Sequence, residues 1–231
     1  LGIRCSAVTL PRVHDILPDS KELLQWQVDA TILAHDSIAA EHPESQVLLG
    51  GHSHGAIIAA KALKKLHSER DPSAVADGLL LLAPAGLDTY RPKNLGIAAL
   101  NLIPLAYNSL RHSDSKRLVG SYALMVTQVV LANPGQTAVE IMQALRMNVG
   151  SILTHDLPNV SVFIPAATKD EFIDNKKILK VAELAPNSNI SVATLDTNHM
   201  LGERGDADIV SLGDPRLLSG QILAWLQGRT V

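Results

Sequence analysis

Apolar residues follow two patterns along this chain, and the two patterns alternate. Short continuous apolar runs predict buried strands, whereas apolar residues that recur at three- and four-residue steps predict amphipathic helices. The predicted strands cover residues 2–10, 47–49, 78–84, 160–165 and 190–195. The predicted helices cover residues 21–42, 56–66, 176–184 and 217–226. Strands that alternate with helices in this way favour an α/β fold with parallel pairing and right-handed crossovers.

Residues 86–157 interrupt this alternation. Their apolar residues recur mostly at helical spacing, with proline and glycine breaks and little strand character. The stretch is therefore predicted to be mainly helical.

The composition indicates one globular unit with a sizeable core. The chain has 231 residues, a formal net charge of −3 and only 3% aromatic residues. Because there is no basic run and almost no aromatic platform, no nucleic-acid partner is expected. A single cysteine, Cys5, excludes an internal disulfide and favours a cytoplasmic location. The apolar stretches are too short for a transmembrane segment.

Residues 47–55 read Val-Leu-Leu-Gly-Gly-His-Ser-His-Gly and contain a G-x-S-x-G pattern centred on Ser53. A predicted strand precedes the pattern and an alanine-rich helix follows it, which is the context the pattern requires. A sharp strand-to-helix turn would strain the serine backbone and expose its hydroxyl above the sheet edge. Side chains two residues to either side would clash, so we expect both Gly51 and Gly55 to be sterically required.

Other interpretations of this segment fit less well. A phosphate-binding loop needs Gly-Lys-Ser/Thr, and a dinucleotide fingerprint needs G-x-G-x-x-G; neither is present. His52 and His54 form an H-x-H pair, but no further His/Asp cluster follows closely, so we expect no metal and no other cofactor. The plainest alternative is an ordinary glycine-rich turn with a surface serine.

Ser53 needs a base within hydrogen-bond reach and a carboxylate to orient that base. In open α/β sheets such groups lie in loops at the carboxyl ends of strands. Asp170 follows the predicted strand 160–165, and His199 follows the predicted strand 190–195. The two residues complete a Ser, Asp, His chain order.

These assignments have competitors. Asp170 is also a good turn or helix N-cap residue, and Asp174 and Glu171 are reserve acids in the same loop. Asp88, after the strand 78–84, is a more distant reserve. The remaining histidines outside the serine motif are interpreted as solvated surface residues: His14, His35, His42, His67, His112 and His155.

With these residues identified, the chain resembles the α/β-hydrolase fold family over nearly its whole length. Residues 51–55 resemble the family's nucleophile elbow, residues 168–173 its acid loop, and Asn198-His199 its catalytic histidine turn. The resemblance implies a three-layer αβα sandwich with a mostly parallel sheet. It also implies a hydrolase core formed by residues 1–87 and 158–231 and a helical cap formed by residues 88–157.

The resemblance is incomplete at the beginning of the chain. The strand 2–10 resembles the family's fourth strand, and nothing here corresponds to the first three. We therefore expect an N-terminally truncated chain with weak or no activity and an exposed sheet edge that promotes association into a homo-oligomer. The backbone N–H of His54 is the expected oxyanion donor, and the family's second donor has no counterpart here.

The resemblance implies a serine hydrolase that cleaves an ester, thioester or amide of a small molecule through an acyl-enzyme. An acyltransferase or a cofactor-free haloperoxidase-type enzyme would use the same triad. A non-catalytic binding module with this fold is the alternative from another class. Apolar residues of the expected cap would line an acyl pocket, although cap packing explains most of them equally well: Leu95, Ile97, Leu100, Leu102, Ile103, Leu105, Leu110, Val126, Val129, Val130 and Leu131.

Overall fold

The fold is organised around a parallel four-stranded sheet. The computed structural model describes residues 4, 6–8, 20–70, 78–87, 143, 146–157, 159–167, 175–184, 190–195 and 215–228. The strands are β1 (Leu48–His52), β2 (Gly78–Leu82), β3 (Ser161–Ala167) and β4 (Ile190–Leu195). The helices are α1 (Ser20–Glu41), α2 (His54–Glu69), α3 (Val149–Ser151), α4 (Asn175–Leu184) and α5 (Pro215–Gly228), with a π-helical segment, Ile152–Asp156, directly after α3.

The sheet has the spatial order β1-β2-β3-β4, and every neighbouring pair is parallel. β1 and β2 pair over their full length, from Leu48↔Gly78 to His52↔Leu82. β2 and β3 pair only from Gly78↔Ser161 to Leu80↔Phe163, so they separate toward their carboxyl ends. All four carboxyl ends lie at the same edge of the sheet, which is where loops of an open α/β sheet carry their functional groups.

Side chains that alternate along the strands cover the two faces of the sheet separately. Leu79, Val162 and Ile164 belong to the main buried cluster, together with residues of α2 and α4. On the opposite face the ring of Phe163 stacks on Trp225 of α5, with ring centroids 5.4 Å apart. Because successive strand residues point to opposite faces, this division places helices on both sides. The predicted three-layer αβα sandwich is confirmed.

Helix α2 packs closely on the sheet because its buried face is rich in alanine. Its buried residues are Ala56, Ile57, Ile58, Ala59, Ala60, Ala62, Leu63 and Leu66. Small side chains allow the helix axis to approach β1 and β2, while the larger ones fill the space between. The beginning of α2, next to the strand ends, is therefore held firmly against the sheet.

The strand predicted over residues 2–10 is wrong for the residues that the structure describes. Arg4, Ser6, Ala7 and Val8 are exposed and belong to no strand. Residues 6–8 instead line a cavity of about 280 Å³ together with residues of α1, β1 and α2. An apolar run forms a strand only when a neighbouring strand satisfies its backbone groups. Residues 6–8 do not pair with β1, which is the edge of the described sheet.

The other predicted elements are confirmed, with helix and strand ends shifted by a few residues. β4 has the predicted bounds, whereas α2 extends beyond the predicted 56–66 at both ends. Most of the expected cap, 88–157, lies outside the described residues, so the division into core and cap stays a prediction. Its described end packs in the main cluster through Val149, Leu153 and Leu157. None of the described helices has the length and apolar character needed to cross a membrane.

An ion pair connects α1 to the end of α2. The two terminal guanidinium nitrogens of Arg70 donate to the carboxylate of Asp36, Nη2 across 2.8 Å. The ring of His35 lies 3.1 Å from the same carboxylate and is buried, so the predicted surface position of this histidine is wrong. The hydrogen bond from Arg70 is the main reason that the pKa of Asp36 falls to about 2. A lowered carboxyl pKa means that the pair stabilises the fold while Asp36 is ionised.

We expect Asp36→Asn to lower the free energy of unfolding by about 1 kcal/mol or less at pH 7, because the pair is partly exposed and screened by solvent. The difference from wild type is fully present above the ordinary carboxyl pKa. It shrinks as the pH falls through the range from about 4 to about 2, where Asp36 becomes protonated. Urea unfolding at pH 7, 4 and 3 measures it. A difference that stays constant down to pH 3 would contradict the assignment.

Candidate active site

One residue, Ser53, makes the connection from β1 to α2. β1 ends at His52 and α2 begins at His54. Ser53 has φ 52° and ψ −115°, a backbone conformation that residues with a side chain rarely adopt. Such conformations cost on the order of 1–3 kcal/mol and persist when the surrounding structure enforces them. The strained turn predicted from the sequence is therefore present at Ser53.

The two glycines of the motif are not equivalent. A Cβ on Gly51 would lie 2.1 Å from the backbone oxygen of Gly55 and 2.6 Å from the nitrogen of Ala56. A Cβ on Gly55 would meet no atom of the described residues within 4 Å. The steric requirement predicted for both positions is confirmed for Gly51 and wrong for Gly55. The reason is that backbone atoms of the first turn of α2 lie against Gly51 at the end of β1, whereas no described atom lies next to the Cα of Gly55 on the side where a Cβ would be.

Backbone hydrogen bonds attach the turn to the neighbouring strand. The N–H of Ser53 donates to the carbonyl of Leu82 across 3.0 Å. The carbonyl of Ser53 accepts from the N–H groups of Ala56 and Ala85, each across 3.1 Å. Ala83, between these contacts, also has a positive φ of 42°. The serine backbone is thus fixed on both sides, by its own helix and by the loop after β2.

The side chain of Ser53 does not perform the usual task of a serine at this position. Serine at a helix N-cap normally accepts a hydrogen bond from a backbone N–H of the first turn. Ser53 is the N-cap of α2 and makes no such bond. Its hydroxyl therefore does not serve as the cap of α2.

The backbone N–H of His54 is the first of α2. Among the described residues it has no hydrogen-bond acceptor, as is usual for the first N–H groups of a helix. The partial positive charge at the beginning of the 16-residue α2 adds to the attraction for an anion. The turn can therefore stabilise negative charge that develops next to Ser53.

The imidazole of His54 contacts a residue that sequence reasoning did not identify. Its Nε2 lies 2.9 Å from Oε1 of Gln143, which is buried with 2% of its surface exposed. Since an amide oxygen only accepts, Nε2 carries the proton and donates it. No sequence signal marks Gln143, because it lies 89 positions from His54 and its part of the sequence contains no motif.

The other predicted site residues lie outside the described part of the chain. β3 ends at Ala167 and β4 ends at Leu195, and both strand ends lie at the edge of the sheet where Ser53 lies. Along the chain, Asp170 comes after the first of these ends and His199 after the second. Their approach to Ser53 stays a prediction. The reserve acids Glu171, Asp174 and Asp88 and the apolar residues of the expected acyl pocket also fall outside the described residues.

The chain matches known proteins in sequence profile and in structure. The profile of the family described as "Serine aminopeptidase, S33" matches residues 19–200, a range that contains Ser53, Asp170 and His199. No protein of curated function matches the sequence.

Several solved structures share the fold at low sequence identity. A serine hydrolase from the bacterium Cycloclasticus zankles is similar with a TM-score of 0.58 and 14% identity, over 94% of this chain and 75% of that one. A thermophilic esterase from Thermogutta terrifontis has a TM-score of 0.57 and 14% identity, over 89% and 72%. A carboxylesterase structure from the thaumarchaeon Nitrososphaera gargenis has a TM-score of 0.52 and 14% identity, over 88% and 72%. The profile match and the parallel sheet together show that the chain belongs to the serine aminopeptidase S33 family of α/β hydrolases.

Proposed function

We propose that this protein is a serine hydrolase that cleaves an ester, thioester or amide through an acyl-enzyme formed on Ser53. The observation that carries the proposal is the backbone of Ser53, held at φ 52° between the end of β1 and the start of α2. In α/β hydrolases this geometry, the nucleophile elbow, lifts the serine hydroxyl to the carboxyl edge of the sheet. The hydroxyl is not used as a helix cap, which agrees with a catalytic role.

Asp170 and His199 are proposed as the partners of Ser53. His199 accepts the proton of the Ser53 hydroxyl as its oxygen attacks the carbonyl carbon of the substrate, and Asp170 orients the imidazole and stabilises its cation. Collapse of the tetrahedral intermediate breaks the bond to the leaving group, which takes the proton from His199. A water molecule, deprotonated by His199, then attacks the acyl-enzyme and releases the acid, and Ser53 recovers its proton.

The backbone N–H of His54 is proposed as an oxyanion donor. It belongs to the first residue of α2, so its direction follows from the same turn that places the Ser53 hydroxyl. Donors of this kind each stabilise the transition state by about 3 kcal/mol.

A fluorophosphonate probe tests this proposal, because it phosphonylates a serine that a neighbouring base has activated. We expect the folded wild-type protein to be labelled, with the adduct on the peptide that contains Ser53. Ser53→Ala should not be labelled. Ser68→Ala is a matched control on the same helix, where the hydroxyl donates to the backbone of Lys65, and it should be labelled like wild type. Folded wild-type protein that stays unlabelled, or an adduct on another serine, would refute the assignment.

A further inference from the structure

A buried glutamine contacts the residue next to the proposed nucleophile. Gln143 has 2% of its surface exposed, and its Oε1 lies 2.9 Å from Nε2 of His54. A buried amide lowers stability by about 1–3 kcal/mol when it has no hydrogen-bond partner. The contact with His54 offsets this cost and at the same time restrains the imidazole.

The segment that carries Gln143 is itself attached to the loop that holds the serine. Shortly after Gln143, the N–H of Val149 donates to the carbonyl of Gly86 across 2.6 Å. The N–H of Ala85, one residue earlier in that loop, donates to the carbonyl of Ser53. The first turn of α2 is therefore held in two ways. The loop after β2 holds the backbone at Ser53, and Gln143 holds the side chain of His54. The loop and the segment after Gln143 are themselves joined by the hydrogen bond between Val149 and Gly86.

We propose that Gln143 is a positioning residue, which acts through the His54 side chain to fix the direction of the His54 backbone N–H. This inference rests on the proposed serine hydrolase function and deepens it. An oxyanion donor is effective only when it is held in place before the charge develops. When the His54 ring has no partner, the first residue of α2 can tilt about the turn, and the donor direction becomes less well defined. This N–H stabilises the negative charge of the transition state and contributes little to binding of the uncharged substrate. A misdirected N–H therefore lowers kcat and leaves KM nearly unchanged.

The test compares two buried glutamines. Gln143→Met removes the acceptor while keeping an unbranched side chain of similar length. Gln27→Met is the matched control: Gln27 is equally buried at 2% exposure, lies on α1, and its Oε1 has no hydrogen-bond partner among the described residues. With a short p-nitrophenyl ester we expect Gln143→Met to lower kcat about tenfold with KM within twofold of wild type. Gln27→Met should leave both constants within twofold.

A double-mutant cycle separates positioning from packing. His54→Ala removes the same hydrogen bond from the other side, keeps the backbone donor, and is expected to lower kcat by the same factor of about ten. In the His54→Ala background, Gln143→Met should then cause less than a twofold further loss. A tenfold loss in both backgrounds indicates a packing role and overturns the proposal. An unchanged kcat in His54→Ala overturns it even if Gln143→Met does not fold.

Failure of this inference is distinguishable from failure of the proposed function. Wild-type protein that fluorophosphonate does not label overturns both. Wild-type protein that is labelled and hydrolyses the ester, but whose kcat is unaffected by Gln143→Met, overturns the role of Gln143 alone.

Discussion

Ser53→Ala is expected to lower kcat for a p-nitrophenyl ester by a factor on the order of 10⁵ to 10⁶, leaving KM nearly unchanged. The covalent route is lost with the hydroxyl, whereas the pocket and the oxyanion donor remain. Steady-state kinetics with a panel of acyl chain lengths would measure the loss and report the acyl preference. A residual rate within tenfold of wild type would contradict the assignment of Ser53 as nucleophile.

Substitutions of the two proposed partners of Ser53, His199 and Asp170, are also expected to lower kcat strongly. His199→Ala should lower kcat about as much as Ser53→Ala, and the double variant should be no worse than either, because the two groups act as a unit. Asp170→Asn should cost on the order of 10⁴. Asp174→Asn is the matched control in the same loop and should stay within threefold of wild type. If Asp174→Asn is the damaging change instead, Asp174 is the acid and Asp170 a turn residue.

Gly51→Ala is expected to lower both stability and catalysis, although its side chain takes no part in the chemistry. The added Cβ would lie 2.1 Å from the oxygen of Gly55 and 2.2 Å from its carbonyl carbon. These are backbone atoms, so no side-chain rotation relieves the clash, and the turn must open. We expect a loss of about 3 kcal/mol in unfolding free energy and at least a 10²-fold fall in kcat, since displacement of the nucleophile by about 1 Å has that effect. Chemical denaturation and ester kinetics measure the two quantities.

Gly55→Ala is the matched control for Gly51→Ala. The same methyl group at Gly55 meets no described atom within 4 Å, and alanine is the better residue inside a helix by roughly 0.5–1 kcal/mol. We therefore expect unchanged or slightly raised stability and kcat within threefold of wild type. Equal damage from the two substitutions would contradict the one-sided crowding of the turn.

Much of the candidate site could be predicted because its signals are local. The junction at Ser53 is visible in the order apolar run, G-x-S-x-G, alanine-rich helix, and the structure places Ser53 between β1 and α2. Asp170 and His199 are predicted from their positions after two strands, and those strands, β3 and β4, are confirmed. Gln143 could not be found in this way. Its significance comes from a contact with His54 across 89 positions, and no spacing in the chain reports such a contact.

The sequence alone determined the alternation of strands and helices, the parallel sheet that follows from it, and the location of the serine turn. These features depend on short-range hydrophobic periodicity and turn residues, which every segment carries within itself. Three features come from tertiary contacts instead: residues 6–8 form no strand, Gly51 but not Gly55 is sterically required, and Arg70 lowers the pKa of Asp36. Each of these features depends on which atoms become neighbours after the chain has folded. Contacts between residues that are distant in the sequence cannot be inferred from hydrophobic periodicity or from turn motifs.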